Sequence, residues 1–129
     1  MQAILFNASE ERNDMPAIDA VSLVFANWCP HCNPPALEAV ERMAADLGVK
    51  VNLHDIDIPE SEKIADELVK SHGNWAADYL IPQIFLEFAD GTIQHIFTGF
   101  AEGVAITKAR MADLFQSQWY RDLVRTQKA

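Results

Sequence analysis

The chain has 129 residues, half of them apolar, which is enough for one hydrophobic core and too little for two. Its net charge of −9, with Lys and Arg scattered along the chain, leaves no basic run to follow a phosphate backbone and argues against nucleic acid as a partner. The opening MQAILFNASE has no basic n-region, its apolar run is too short for a signal h-region, and no later stretch reaches a membrane span, so the expectation is a soluble, monomeric, cytoplasmic protein of one domain, 1–129.

In chain order, the first predicted element is a strand from Ala3 to Phe6, followed by a segment, Glu10 to Ala20, with room for at most a short helix. A second strand runs from Val21 to Ala26. Leu37, Val40, Met43, Ala44 and Leu47 then recur at three- and four-residue steps, placing one apolar face on a helix that Gly48 can close in a left-handed cap. Val49 to Ile56 reads as the third strand. Asp57 and Glu60 have capping-box spacing around Pro59, and Ile64 and Leu68 give the next helix a narrow inner face that ends at His72-Gly73. Its acidic residues Glu60, Glu62, Asp66 and Glu67 form a solvated face. Ser71 to Leu80, with Trp75 and Tyr79, allows one more short helix.

Ile84 to Phe88 and Thr92 to Thr98 are strands joined by Asp90-Gly91, a pair suited to a type I′ hairpin because both central residues of that turn need positive φ. From Glu102 to Arg125 the stripe Val104, Met111, Leu114, Phe115, Trp119 and Leu123 predicts one long closing helix, its inner residues in the core. The order β-α-β-α-β-α-β-β-α implies an α/β domain: a central mixed sheet of about five strands with helices on both faces.

Both cysteines lie in NWCPHCNPP, residues 27 to 35. Such a pair is a redox switch, half of a metal site, or a structural staple. Cys29 falls after a strand and at the first turn of the predicted helix, where unpaired backbone N–H groups favour an anion by about 0.3 to 1 kcal/mol. A residue at that position is expected to be exposed, with Cys32, three residues on, facing inward. Cys29 is thus the candidate attacking sulfur and Cys32 the resolving one. His31 between them would favour the thiolate and the reduced form. A zinc site would need ligands from His54, His72 and His95, which sit far apart in sequence and read as ordinary strand or surface residues. A staple across so short a loop would restrict the unfolded chain little. Pro34-Pro35 removes two backbone donors, so a kink or restart is expected there, with Asn33 as a second cap and a proline at the new N1.

The stretch VSLVFANWCPHC, with Trp28 directly before the motif, together with Ile81-Pro82 opening the Ile84 strand, resembles the thioredoxin superfamily over nearly the whole chain. The resemblance implies a thioredoxin fold, a cis Ile81–Pro82 bond beside the cysteines, and a thiol-disulfide oxidoreductase that acts on protein disulfides, takes electrons from a reductase or thiol donor, and needs no metal or organic cofactor. It implies a substrate edge at Ile81 and Pro82 and a Trp28 that shields the disulfide and contacts substrate. Pro30 and His31 are similar to the pair in periplasmic disulfide oxidases, whose attacking thiol is unusually acidic. IPQIF looks like the glutaredoxin sequence around its cis-proline, so a glutathione-dependent glutaredoxin is the alternative, and a non-catalytic metal- or protein-binding module of the same fold is the other. The chain departs from thioredoxins at Leu23, where the family has an acid that helps move the resolving thiol's proton. His31 and Asp55 are the candidate replacements.

Overall fold

The computed structural model describes residues 16–128. Four strands form one mixed sheet: β1 (Ile18–Phe25), β2 (Lys50–Asp55), β3 (Gln83–Phe88) and β4 (Ile93–Thr98), in the order β2-β1-β3-β4. β1 runs parallel to β2 and antiparallel to β3, and β4 is antiparallel to β3. The helices are α1 (Leu37–Leu47), α2 (Pro59–His72), α3 (Val104–Gln116) and α4 (Gln118–Lys128). The domain is therefore α/β, as expected. The expected strand Ala3 to Phe6 lies outside the described residues, as does most of the segment Glu10 to Ala20, whose last residues belong to β1.

Side-chain alternation along β1 divides the core. Val21, Leu23 and Phe25 point to one face, where they meet Val40 and Met43 of α1, Met111 and Phe115 of α3, and Tyr120 and Leu123 of α4. Val24 points to the other face and meets Ala65, Leu68 and Val69 of α2 and Phe85 of β3. Ser22, on that second face, donates its hydroxyl to the Glu87 carboxylate, which satisfies a fully buried polar group. The last helix also ties down the start of the sheet, because Gln127 Oε1 accepts from the Ile18 N–H at 2.9 Å.

α1 ends as expected, with Gly48 in the left-handed region at φ 71° and its N–H on the Ala44 carbonyl. Several other expectations are corrected. No side chain caps α2: Ile58, in extended conformation, is its N-cap, Pro59 fills the first turn, and the Asp57 N–H instead bonds Asp55 Oδ1 at 2.9 Å. Ile64 is about half exposed, so the inner face of α2 is Ala65, Leu68 and Val69. Residues 74–82 contain no helix. The hairpin keeps its place, but only Gly91 has positive φ, with Asp90 Oδ1 accepting from the Thr92 N–H at 3.0 Å. That geometry follows a bulged hairpin loop rather than type I′.

The long closing helix is broken at Ser117, whose ψ of 154° is extended. The Ser117 hydroxyl accepts the Tyr120 N–H at 3.1 Å and so caps α4. The break rotates the stripe, leaving Trp119 at 38% exposure and burying Tyr120 in its place. Tyr120 donates its hydroxyl to Asp46 of α1 at 2.7 Å.

Candidate functional site

The strand directions bring three loops to one end of the sheet. β1 finishes there at Phe25, β3 starts there at Gln83, and β4 finishes there at Thr98; Val24 is paired with Gln83, and Gln83 with Thr98. The cysteine loop, the Ile81-Pro82 segment and Gly99-Phe100 are therefore neighbours, although they are far apart in sequence.

The cysteine loop is built mainly by backbone hydrogen bonds. The Cys29 N–H bonds the Ala26 carbonyl at 3.2 Å, and the Cys29 carbonyl accepts from Cys32 at 3.0 Å and Asn33 at 2.9 Å. These bonds make one helical turn. Asn33 then leaves helical geometry at φ −120°, ψ 108°, and the Asn33–Pro34 peptide is cis. The chain restarts through a wide turn, Cys32–Ala36, in which the Leu37 N–H reaches the carbonyls of Cys32 and Pro34. The expected restart at the prolines is present, but its cap differs. Asn33 offers no side-chain cap, and its Nδ2 donates back to the Asn27 carbonyl at 3.3 Å. The position of Cys29 is corrected too: it belongs to a separate turn, with α1 opening only at Leu37.

Both cysteines are free thiols. Cys32 is fully buried, whereas Cys29 keeps 5% of its surface accessible, so Cys29 is far less exposed than its sequence position suggests. Burial pushes the Cys32 thiol up to about 12 from 9.0; a hydrogen bond with the Ala26 backbone opposes the rise, while the charge of Cys29 and the hydrogen bond to its sulfur add to it. Burial therefore favours the protonated thiol at Cys32.

Trp28 is 67% exposed beside the thiols, with its indole N–H directed at Asp57 Oδ1 at 3.4 Å. Asn27 Nδ2 donates to Asp55 Oδ2 at 3.2 Å, so carboxylates at the end of β2 and just beyond it brace the start of the loop. The Asp55 carboxylate also accepts from the Asp57 N–H, so both of its oxygens are engaged. His31 is held by α3: its Nδ1 lies 2.8 Å from the Thr107 hydroxyl. Neither candidate proton acceptor is hydrogen-bonded to the Cys32 thiol, and Leu23 lies fully buried in the core that also holds both cysteines.

The Ile81–Pro82 bond is cis. The Pro82 carbonyl accepts the Gly99 N–H at 2.8 Å, and a Cβ added at Gly99 would stand 2.7 Å from Pro82 Cδ and 2.8 Å from the Ile81 oxygen, so only glycine allows β4 and Pro82 to approach this closely. Gln83 follows, fully buried: its Oε1 accepts the Asn74 N–H at 3.0 Å, and its Nε2 donates to the carbonyls of Asn74 at 3.1 Å and Leu80 at 3.0 Å. Trp75 is exposed, its ring tilted 41° against that of Tyr79 at 5.7 Å with Lys70 over it, while the Tyr79 hydroxyl donates to Asp66.

Sequence reading missed Thr107, Gln83, Asn27 and Asp57. Gln83 carries a signal, since an amide inside the apolar run IPQIF must find partners. Thr107 carries none. His54 and His95 remain apart from the thiols, and burial lowers the pKa of both. Among the described residues, no three His, Cys, Asp or Glu side chains gather as a metal-ligand set, and no helix is long and apolar enough to cross a membrane. Comparison of the chain with protein-family models, with curated proteins and with solved structures finds no match.

Proposed function

We propose that the protein is a thiol-disulfide oxidoreductase with a thioredoxin-type fold. The observation that carries the reading is the asymmetric thiol pair: Cys29, with 5% of its surface accessible and next to exposed Trp28, and Cys32, fully buried, its thiol pushed up to about 12 by that burial. The sheet order β2-β1-β3-β4, with the cysteines after β1 and Pro82 before β3, supports the fold assignment.

In the proposed cycle the Cys29 thiolate attacks one sulfur of a partner protein's disulfide, forming a mixed disulfide and expelling the partner's other sulfur as a thiolate, which is then protonated. Cys32 loses its proton to solvent and attacks the Cys29 sulfur, releasing the second partner thiol. The partner gains two electrons and two protons, and the protein is left with a Cys29–Cys32 disulfide. A reductase or thiol donor returns it to the dithiol. A thiol held near 12 resists ionising, which keeps Cys32 from competing as the first nucleophile.

Reduction of insulin disulfides by dithiothreitol tests the reading. The wild-type protein should accelerate the reaction, Cys29→Ser should abolish the acceleration, and Cys32→Ser should accumulate a covalent adduct with its partner. A wild-type rate equal to that of dithiothreitol alone would sink the proposal.

A further inference from the structure

Thr107 is fully buried in α3, and its hydroxyl meets three groups: the Phe100 N–H at 2.8 Å, His31 Nδ1 at 2.8 Å and the Phe100 carbonyl at 3.5 Å. A hydroxyl has one proton and two lone pairs. One lone pair is committed, because the Phe100 N–H can only donate. The proton has two possible acceptors, and the carbonyl lies at the limit of hydrogen bonding while Nδ1 is at an ordinary distance. These distances favour the hydroxyl as donor to Nδ1 of a neutral imidazole, with the ring proton on Nε2.

We infer that Thr107 is a positioning residue for the thiol pair: it clamps His31 by Nδ1 and leaves Nε2–H as the one donor that His31 can offer to sulfur or substrate. The inference rests on the oxidoreductase reading for its effect on the couple, but not for the placement of the proton. The clamp also joins the separate parts of the site. Phe100 follows Gly99, whose N–H holds the Pro82 carbonyl, so the ring between the cysteines is fixed to the same segment that fixes Pro82.

Two measurements test this in the full-length reduced protein. In nitrogen-15 spectra recorded where His31 is neutral, the wild type and Thr107→Ser should show the Nε2–H tautomer, and Thr107→Val should lose that single preference. Equilibration with glutathione should then show Thr107→Val shifted towards the disulfide by about threefold to tenfold, the upper figure being about 30 mV more reducing, with Thr107→Ser unchanged. In a His31→Phe background, Thr107→Val should shift nothing.

A wild-type Nδ1–H tautomer overturns the inference even if Thr107→Val fails to fold. A Thr107→Val shift of equal size with and without His31 overturns it as well, because the threonine would then act on the thiols by packing. If the wild type forms no reversible disulfide at all, the oxidoreductase reading fails and the claimed effect on the couple fails with it, while the spectra still decide which nitrogen carries the proton.

Discussion

Two loops at one end of the sheet each carry an exposed tryptophan and contain or adjoin a cis proline, yet they are held by different means. The cysteine loop, from Ala26 to Leu37, is fixed by its own main chain, through the bonds around Cys29 and the wide turn at Cys32–Ala36. The loop from Asn74 to Leu80 is held instead by side chains: Gln83 bonds its two ends, the Tyr79 hydroxyl donates to Asp66, and the Asn74 amide donates to the Thr98 hydroxyl. A loop built on backbone bonds leaves its side chains free for chemistry, whereas a loop hung on side chains depends on those residues. Cys29 and His31 can therefore have chemical work because neither is needed to shape the turn.

The largest test of this contrast is Gln83→Leu. The substitution keeps most of the volume but strips partners from the Asn74 N–H and from the carbonyls of Asn74 and Leu80, each loss being worth about 1 kcal/mol. Urea unfolding should show about 3 kcal/mol of destabilisation, with faster proteolysis within the loop. A loss under about 1 kcal/mol would mean that the loop is held chiefly by something other than Gln83.

A second test addresses the cysteine loop through pH. The folded pKa of Cys32 is raised to about 12 from 9.0, so the folded state keeps the proton where the unfolded chain releases it. The associated stability is fully present below about pH 9 and is lost as pH rises towards 12. The reduced wild type should lose about 1.4 kcal/mol more than Cys32→Ser between pH 8 and pH 10, since one unit of pKa corresponds to about 1.4 kcal/mol. The difference isolates Cys32 from Tyr79 and Tyr120, whose raised pKa values act in the same direction in both proteins. Parallel curves would show that Cys32 ionises freely and that the asymmetry of the pair is absent.

The same contrast explains what was legible in the sequence. Strands β1 to β4 and helices α1 and α2 follow from apolar periodicity, and the Gly48 cap follows from a local requirement for positive φ. The break at Ser117 was hidden, because the apolar stripe continues across it and only the exchange of Trp119 for Tyr120 in the core reveals the turn. Within the site, the neighbouring cysteines and the Ile81-Pro82 pair were visible as motifs. Thr107 lies 76 positions from His31 and gains meaning only when α3 packs beside the cysteine loop. The expected exposure of Cys29 failed for a related reason: helix position alone does not count what the Ala26 turn and the neighbouring core cover.

The smallest expected effect is at Asn33. Its side chain makes one exposed bond of 3.3 Å to the Asn27 carbonyl, in a loop otherwise fixed by main-chain groups. Such a bond exchanges with water at little cost, and alanine readily adopts the extended geometry at this position. Asn33→Ala should therefore cost about 0.5 kcal/mol or less in urea unfolding and leave the equilibrium of the thiol pair with glutathione unchanged. A loss above about 1.5 kcal/mol, or a shifted equilibrium, would make Asn33 to the cysteine loop what Gln83 is to its neighbour, and the proposed division between a backbone-held and a side-chain-held loop would fall.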